Sequence, residues 1–122
     1  MVIWRRSVEL VAECYRLSAK FPPGERYGMT AQLRRAACSI AANIAEGNGR
    51  DSAREFLHFL SIARGSLREV QTYLALCREL GYATATGLER AIALADEIGR
   101  MLHGLRHRHL PRAKAGKTVY QD

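Results

Sequence analysis

Glutamate and histidine occur at two spacings that metal sites use. Glu55 and His58 have the Glu-x-x-His spacing of di-iron bundles, which need two such motifs and two further inward-facing glutamates. The sequence contains one such motif, and Glu55 also fits a helix-capping role. His103 and His107 share one helix face, but no third ligand is evident beside them. We therefore predict that the protein binds no metal and no other cofactor.

Two glycine-containing stretches match fragments of phosphate-binding loops. Gly116-Lys117-Thr118 has the ending of a P-loop, but Pro111 stands where the first glycine is required and no strand precedes the motif. Gly47-Asn48-Gly49 lacks the third glycine and the preceding strand of a dinucleotide fingerprint. The serines, cysteines and histidines show no local nucleophile signature. We predict that the protein is not an enzyme.

The stretch SIAANIAEGNGR, residues 39–50, places an amide inside an apolar helical run. Asn43 lies between Ile40 and Ile44, where an unpaired polar group would cost about 1–3 kcal/mol, so we expect it to have fixed partners. One interpretation is structural: Asn43 bonds backbone groups and fixes the helix register. The other gives Asn43 and Glu46 a binding or catalytic role.

Glu46 and Gly47 close this stretch. A glutamate near a helix C-terminus is on the unfavourable side of the helix dipole unless a cation holds it. The candidate partners are Arg34, Arg35, Arg50 and Arg54. We expect Gly47 to take the left-handed conformation that ends many helices.

Four helical segments position these residues. The first spans about 3–20 and stops at Phe21-Pro22-Pro23-Gly24, because proline does not fit a helix interior. The second runs from a Thr30 N-cap to Gly47. The third and fourth open with capping boxes at 52–55 and 86–89 and end at Gly81 and before Pro111.

Apolar side chains recur along each segment at helical spacing. They are Val8, Leu10, Val11, Cys14, Tyr15 and Leu17; Leu33, Ala37, Ile40 and Ile44; Phe56, Leu60, Ala63, Leu67, Val70, Leu74 and Cys77; and Leu88, Ile92, Ala95, Ile98, Leu102 and Leu105. No segment alternates with a period of two. We predict an all-α fold, an antiparallel up-down-up-down four-helix bundle.

Length and composition fit one small globular domain. The 122 residues are 48% hydrophobic and 25% charged, and no run is long enough for a membrane span or a signal peptide. The three cysteines lie far apart without a CxxC motif, as expected of reduced, packed thiols. We expect a cytoplasmic protein with no membrane partner, a bundle over residues 1–109, and a basic, flexible tail over residues 110–122.

The net charge of +7 is concentrated at the C-terminal end. Residues 100–122 hold six Lys or Arg and one Asp, a net charge of +5. Such a segment attracts polyanions by releasing their counterions, although basic tails also serve only to solubilise a protein. The candidate nucleic-acid contacts here are Arg106, Arg108, Arg112, Lys114 and Lys117.

The run from Gln32 to Gly47, QLRRAACSIAANIAEG, is similar to the signature of the bacterial four-helix bundle proteins named for the 23S rRNA intervening sequences that encode some of them. Further stretches follow in the family's order, at 21–22, 25–28, 56–60, 62–69 and 80–82. The resemblance covers about residues 4–107. Met29 and Ala41 depart from the usual residues without affecting the fold.

This resemblance implies an antiparallel four-helix bundle. By similarity to the accessory proteins of diversity-generating retroelements, it also implies a barrel-like homopentamer whose basic surface contacts nucleic acid and a reverse transcriptase. The second helix is free of acidic residues from Arg26 to Ala45 and would supply Arg34 and Arg35 to that surface, although paired arginines are also often solvated or bound to carboxylates.

Two functions follow from these observations. The first is a non-enzymatic, oligomeric bundle that binds RNA or DNA through its arginines and basic tail, as an accessory to a reverse transcriptase. The second is a structural or protein-interaction homo-oligomer with no nucleic-acid role. Steep weakening of binding by salt would indicate the first.

Overall fold

The computed structural model describes residues 1–116 as a bundle of four α-helices. These helices are α1 (Val2–Ser18), α2 (Met29–Asn48), α3 (Ala53–Glu79) and α4 (Ala85–Lys114), with a 3-10 turn at Pro23–Glu25. Each helix packs on the preceding and following ones, and α4 closes the ring against α1. The short connections make successive helices antiparallel. The predicted all-α four-helix bundle is confirmed, and residues 1–116 contain no strand.

The core is built from one stripe of each helix. All seven apolar residues of the repeat predicted in α3, from Phe56 to Cys77, are buried. Burial of each large apolar side chain stabilises the fold by about 1.5–3 kcal/mol. The predicted stripes of α1 and α4 are partly wrong: Val8 and Tyr15 of α1 and Ile92 of α4 remain 42%, 43% and 43% exposed, because they lie on the flanks of their helices.

The N-terminal ends of the helices differ in part from the predicted caps. Ser52 caps α3, its hydroxyl accepting a hydrogen bond from the Glu55 amide at 3.0 Å, which is the serine half of the predicted capping box. The predicted capping box at 86–89 is wrong, because Thr84 caps α4 by accepting from the Gly87 amide. Thr30 is not an N-cap either. Helix α2 starts at Met29, whose amide donates to the Glu25 carboxylate of the preceding turn at 3.2 Å.

Gly47 remains inside α2 and does not adopt the predicted left-handed conformation. Helix α2 ends one residue later, at Asn48, and its C-cap is Gly49 with a φ of −82°. Gly47 is buried against α3, and a Cβ atom added to it would lie 2.9 Å from the Cβ atom of Phe59. Glycine is therefore required here by the close approach of two helices, and the turn after the helix does not need it.

The C-terminal end of α4 extends beyond its predicted limit. The helix continues through Pro111 to Lys114, although proline lacks the N–H donor of a regular helical turn. His109 and Ala113 are buried in this last part. Residues 110–114 are thus helical, whereas Lys117 and the rest of the predicted tail lie outside the described residues.

The cysteines are only partly as expected. Cys14 and Cys77 are buried, and burial raises the pKa of their thiols to about 12 and about 11. Cys38 is exposed on α2, so it is not a packed thiol. None of the helices described within residues 1–116 has a stretch long and apolar enough to cross a membrane.

Candidate nucleic-acid interface

Asn43 belongs to a chain of polar groups that joins α2 to α3. Its side-chain nitrogen Nδ2 donates to the Ser39 carbonyl at 2.8 Å and to the Ser39 hydroxyl at 3.1 Å. Because that hydroxyl accepts from Asn43, its own proton is free to point to the Ser66 hydroxyl, 2.7 Å away. The amide is half-buried and has the fixed partners that its position requires. These contacts favour the structural interpretation of Asn43.

Glu46 is held by Arg50, one of its four candidate partners. The Arg50 guanidinium forms an ion pair with the Glu46 carboxylate one helical turn earlier. It also lies over the ring of Phe59 in α3, with 4.9 Å between its Cζ atom and the ring centroid. Together with the close contact at Gly47, these interactions fix the end of α2 against α3. They give Glu46 and Gly47 structural roles.

Arg34 and Arg35, predicted as nucleic-acid contacts, both have partners within the chain. Arg34 donates to the Ser18 hydroxyl at 2.7 Å and stacks over Tyr15 with 4.4 Å between its Cζ atom and the ring centroid. Arg35 donates to the Glu69 carboxylate at 2.6 Å, and this hydrogen bond raises the pKa of Arg35. The two arginines therefore tie α2 to its neighbours. An ion pair also compensates the charge of Arg35.

A basic groove lies on the other side of the molecule, between α3 and α4. Its volume is about 320 Å³. The side chains with positive charge or the capacity to gain it are Arg64 and Arg68 of α3 and His103, Arg106 and His107 of α4. None of the described residues that line the groove is acidic. We call this surface the basic groove.

Helical spacing explains why these side chains meet. Arg64 and Arg68 are four residues apart on one face of α3, and His103 and Arg106 are three apart on the facing side of α4. Gly99 adds no side chain to the space between the two helices, and a Cβ atom there would make an ordinary contact of 3.5 Å with the Leu67 side chain. The groove therefore has an apolar floor and basic walls.

Charge in the groove is poorly neutralised by the protein itself. Within residues 1–116, neither Arg64 nor Arg106 forms an ion pair. Arg68 donates to the neutral side-chain oxygen of Gln71 at 2.9 Å. Arg100 adds a further cation at one end, where Asp96 is the acidic group beside the groove. Electrostatic potential from these side chains is thus directed to the solvent.

The seam between α4 and α1 is electrostatically different. Arg6 bonds both Glu9 and Glu97, and these hydrogen bonds raise its pKa. Arg90 lies 3.9 Å from the Glu9 carboxylate and 3.8 Å from that of Glu13. In this part of the seam the arginines therefore lie beside carboxylates, unlike those of the basic groove.

The predicted basic residues of α4 do not form one surface. Arg106 lines the basic groove, whereas Arg108 lies on the flank that faces α1. Arg112 is half-buried and Lys114 is exposed in the last turn. Arg34 and Arg35 are remote from these residues, because α2 does not pack on α4.

Sequence reasoning did not place Arg64, Arg68 and His103 on one basic surface. A signal was present, since residues 56–68 and 98–116 contain no Asp or Glu. The two acid-free segments become one surface because the bundle pairs the first half of α3 with the second half of α4.

The histidines at 103 and 107 stack on each other, with 6.3 Å between their ring centroids. His58 packs beside the ring of Phe59 on α3. Among residues 1–116 no group of three or more His, Cys, Asp or Glu side chains is placed to hold a metal ion.

A solved structure with the same fold supports this architecture. It is a crystal structure of a protein with unknown function from the S23 ribosomal protein family of Bacteroides thetaiotaomicron VPI-5482. The two chains are 28% identical and superpose with a TM-score of 0.76, over 84% of this chain and 96% of the other. We found no significant match among curated proteins.

A family model, described as 23S rRNA-intervening sequence protein, matches residues 1–104. This match spans all of α1, α2 and α3 and most of α4. It agrees with the motifs at 32–47 and 62–69, which lie in the facing helices α2 and α3. The chain therefore belongs to the 23S rRNA-intervening sequence protein family.

Proposed function

We propose that this protein is a non-enzymatic, oligomeric bundle that binds RNA or DNA through the basic groove. The observation that carries the proposal is the convergence of Arg64, Arg68 and Arg106 on one groove whose lining contains no acidic residue. Guanidinium groups bind phosphate with paired hydrogen bonds, and each neutralised phosphate releases counterions.

The lining of the groove suggests how nucleic acid would be held. Its apolar floor is made of aliphatic residues such as Leu67 and Leu102, and none of its lining residues is Phe, Tyr or Trp. A groove whose aromatic rings are the imidazoles of His103 and His107 offers less surface for base stacking than one lined by Phe, Tyr or Trp. Contacts to phosphate fix position but carry no sequence information. We propose that the groove holds the sugar-phosphate backbone and that the bases contribute little to affinity.

An apolar stripe on α1 supports the oligomeric part of the proposal. Trp4, Val8 and Tyr15 share one face and are 44%, 42% and 43% exposed. The adjacent face of α2 adds exposed small residues, Cys38 and Ala42. Small residues allow a second helix to approach closely. We propose that a second copy of the chain packs on this α1–α2 face and leaves the basic groove open.

The resemblance to retroelement accessory proteins extends the proposal further. It implies a homopentamer in the cytoplasm that presents several basic grooves to nucleic acid and to a reverse transcriptase. Several grooves on one assembly would raise the avidity for a long polyanion without any new contact.

A second candidate function uses the same α1–α2 face. A purely structural or protein-interaction homo-oligomer would need the exposed stripe and would not need the basic groove. The two functions therefore differ in what the arginines of the groove contribute.

The experiment that separates them measures binding of a fluorescein-labelled 30-nucleotide RNA, and of a DNA duplex of the same length, by anisotropy at 50 and 200 mM salt. With three phosphates neutralised per chain, the logarithm of the RNA affinity should fall with the logarithm of the salt concentration with a slope of about −2. The triple variant Arg64→Ala, Arg68→Ala, Arg106→Ala should lose most of this affinity.

The matched control removes three arginines elsewhere, with the substitutions Arg16→Ala, Arg26→Ala and Arg90→Ala. Those side chains lie in the α1–α4 seam or on the loop after α1, and the net charge of the two triple variants is identical. Absence of binding at 50 mM salt, or equal weakening in both variants, would reject the proposed groove.

A further inference from the structure

A second cavity of about 430 Å³ opens between the start of α1 and the second half of α4, on the flank of α4 opposite the basic groove. Its floor is apolar, and two arginines stand at its rim. The residues that matter here are Ile3, Met101 and Leu105 on the floor, Gly104 in the wall, and Arg5 and Arg108 at the rim.

The size and lining of this cavity are typical of sites for small organic molecules. Such sites occupy about 300–1,000 Å³ and are mostly apolar with a few polar groups that fix orientation. Ile3 and Leu105 are fixed in the core of the bundle, with 4% and 6% of their surface exposed. Met101 is partly buried and unbranched, so it can adjust its shape to an apolar guest.

Gly104 keeps the cavity open. It lies in the interior of α4, where glycine lowers helix stability by about 1 kcal/mol relative to alanine. A Cβ atom added to Gly104 would meet no atom within 4 Å. Packing within the monomer therefore does not require glycine at position 104. Because Gly104 has no side chain, nothing projects from this position into the cavity.

The residues with charged side chains in the lining of the cavity are Arg5 and Arg108. Arg5 is exposed and forms no ion pair within residues 1–116, and no acidic residue lines the cavity. A guanidinium group recognises a carboxylate through two parallel hydrogen bonds. An apolar floor below a basic rim matches a ligand with a hydrocarbon chain and one anionic end.

We propose that this cavity binds a single-chain amphipathic carboxylate of the fatty-acid class. The hydrocarbon chain lies against Ile3, Met101 and Leu105, and the carboxylate bonds the guanidinium group of Arg5. The site shares no lining residue with the basic groove and does not depend on nucleic-acid binding.

The test titrates decanoate, below its micellar concentration, into the full chain labelled with ¹³C at the methionine methyl groups. The signals of Met1 and Met101 should shift saturably with one decanoate per chain, while that of Met29, at the other end of the bundle, should stay unchanged. Decanol, which lacks the charge, should bind at least tenfold more weakly.

Two pairs of variants locate the site. Gly104→Leu should weaken the binding of decanoate at least tenfold. Gly65→Leu, at another exposed helical glycine with open space around it, should leave the affinity unchanged. Arg5→Ala should weaken decanoate several-fold and Arg26→Ala should not. The proposal is overturned if decanoate does not saturate, if decanol binds equally well, or if folded Gly104→Leu binds like the wild type. The Arg5→Ala comparison remains decisive if Gly104→Leu does not fold.

Discussion

The Tyr82 hydroxyl donates a 2.7 Å hydrogen bond to the Glu25 carboxylate, which joins the turn after α1 to the turn after α3. The other carboxylate oxygen of Glu25 accepts from the Met29 amide at the start of α2. Phe21 packs on the Tyr82 ring with 5.5 Å between centroids. The Glu25 carboxylate thus links three segments at one end of the bundle: the turn after α1, the start of α2 and the turn after α3.

This bond makes stability depend on pH in two windows. The hydrogen bond from Tyr82, and then that from the Met29 amide, lower the pKa of Glu25. The stability that the ionised Glu25 gives to the fold is therefore fully present above the ordinary pKa of 4.5, and it is lost as the pH falls through the lowered pKa. The bond to Glu25 raises the pKa of Tyr82 above 10, so the tyrosine contributes below pH 10 and loses its contribution above the raised value.

We expect Tyr82→Phe to lower the urea midpoint at pH 7 and to have a smaller effect at a pH below the lowered pKa of Glu25, where the neutral carboxyl is a weaker acceptor. Tyr27→Phe is the control, because Tyr27 is 84% exposed and makes no hydrogen bond to Glu25. A Tyr82→Phe effect that stays constant from pH 2.5 to 7 would contradict the role of this bond.

The close approach of Phe59 to Gly47, and the open space at Gly65, predict that alanine at these two positions changes stability in opposite directions. Gly47→Ala should destabilise the fold by about 1–3 kcal/mol, because a Cβ atom fixed to the backbone cannot turn away from Phe59. Gly65→Ala should stabilise it by about 0.5–1 kcal/mol, because that exposed helical position has open space. Urea unfolding measures both, and stabilisation by Gly47→Ala would show that α2 and α3 are less close.

His109 is buried, and within residues 1–116 one of its ring nitrogens has no hydrogen-bond partner. Its Nδ1 atom lies 2.9 Å from the Leu105 carbonyl, which can only accept, so Nδ1 carries a proton and Nε2 is the nitrogen without a partner. Its ring packs on that of Phe56.

Replacement with an apolar residue of similar size should therefore raise stability. We expect His109→Leu to stabilise the fold by about 1 kcal/mol in urea unfolding at pH 7.5, because it removes an unpaired polar atom from the core. His58→Leu, at an exposed histidine, should have little effect. A loss of stability in His109→Leu would indicate that Nε2 has a partner.

The exposed stripe on α1 predicts how assembly can be broken. Val8→Glu places a charge in the centre of the proposed contact between copies and should shift the protein toward monomer in sedimentation analysis. Ile62→Glu is a matched control, because Ile62 is 39% exposed on α3 and Val8 is 42% exposed. An unchanged oligomer in Val8→Glu, or a monomeric wild type, would rule out this interface.

The sequence was sufficient to predict the fold because apolar periodicity determines which face of each helix is buried. The repeat from Phe56 to Cys77 shows this, since every member is in the core. Exact caps were harder, because Thr84 and Thr86 are both capable of capping and only the path of the preceding turn selects Thr84.

The basic surface was predicted less well, because charges that are distant in sequence meet only after packing. Arg35 bonds Glu69 of the next helix, and Arg64 lines the same groove as Arg106, which is 42 positions away in the sequence. Nothing in the local sequence around Arg35 indicates a carboxylate partner in α3. The acid-free halves of α3 and α4 were visible, but their pairing requires the topology of the bundle.

Gly99 makes the depth of the basic groove depend on a single position. A methyl group there would touch Leu67 at 3.5 Å without disturbing the helices, and any longer side chain would project into the channel. A relative with leucine at this position would keep all its arginines and lose the concave shape that gathers them. Overall charge would then be a poor guide to which members of the family can hold a polyanion, and the size of one residue would be a better one.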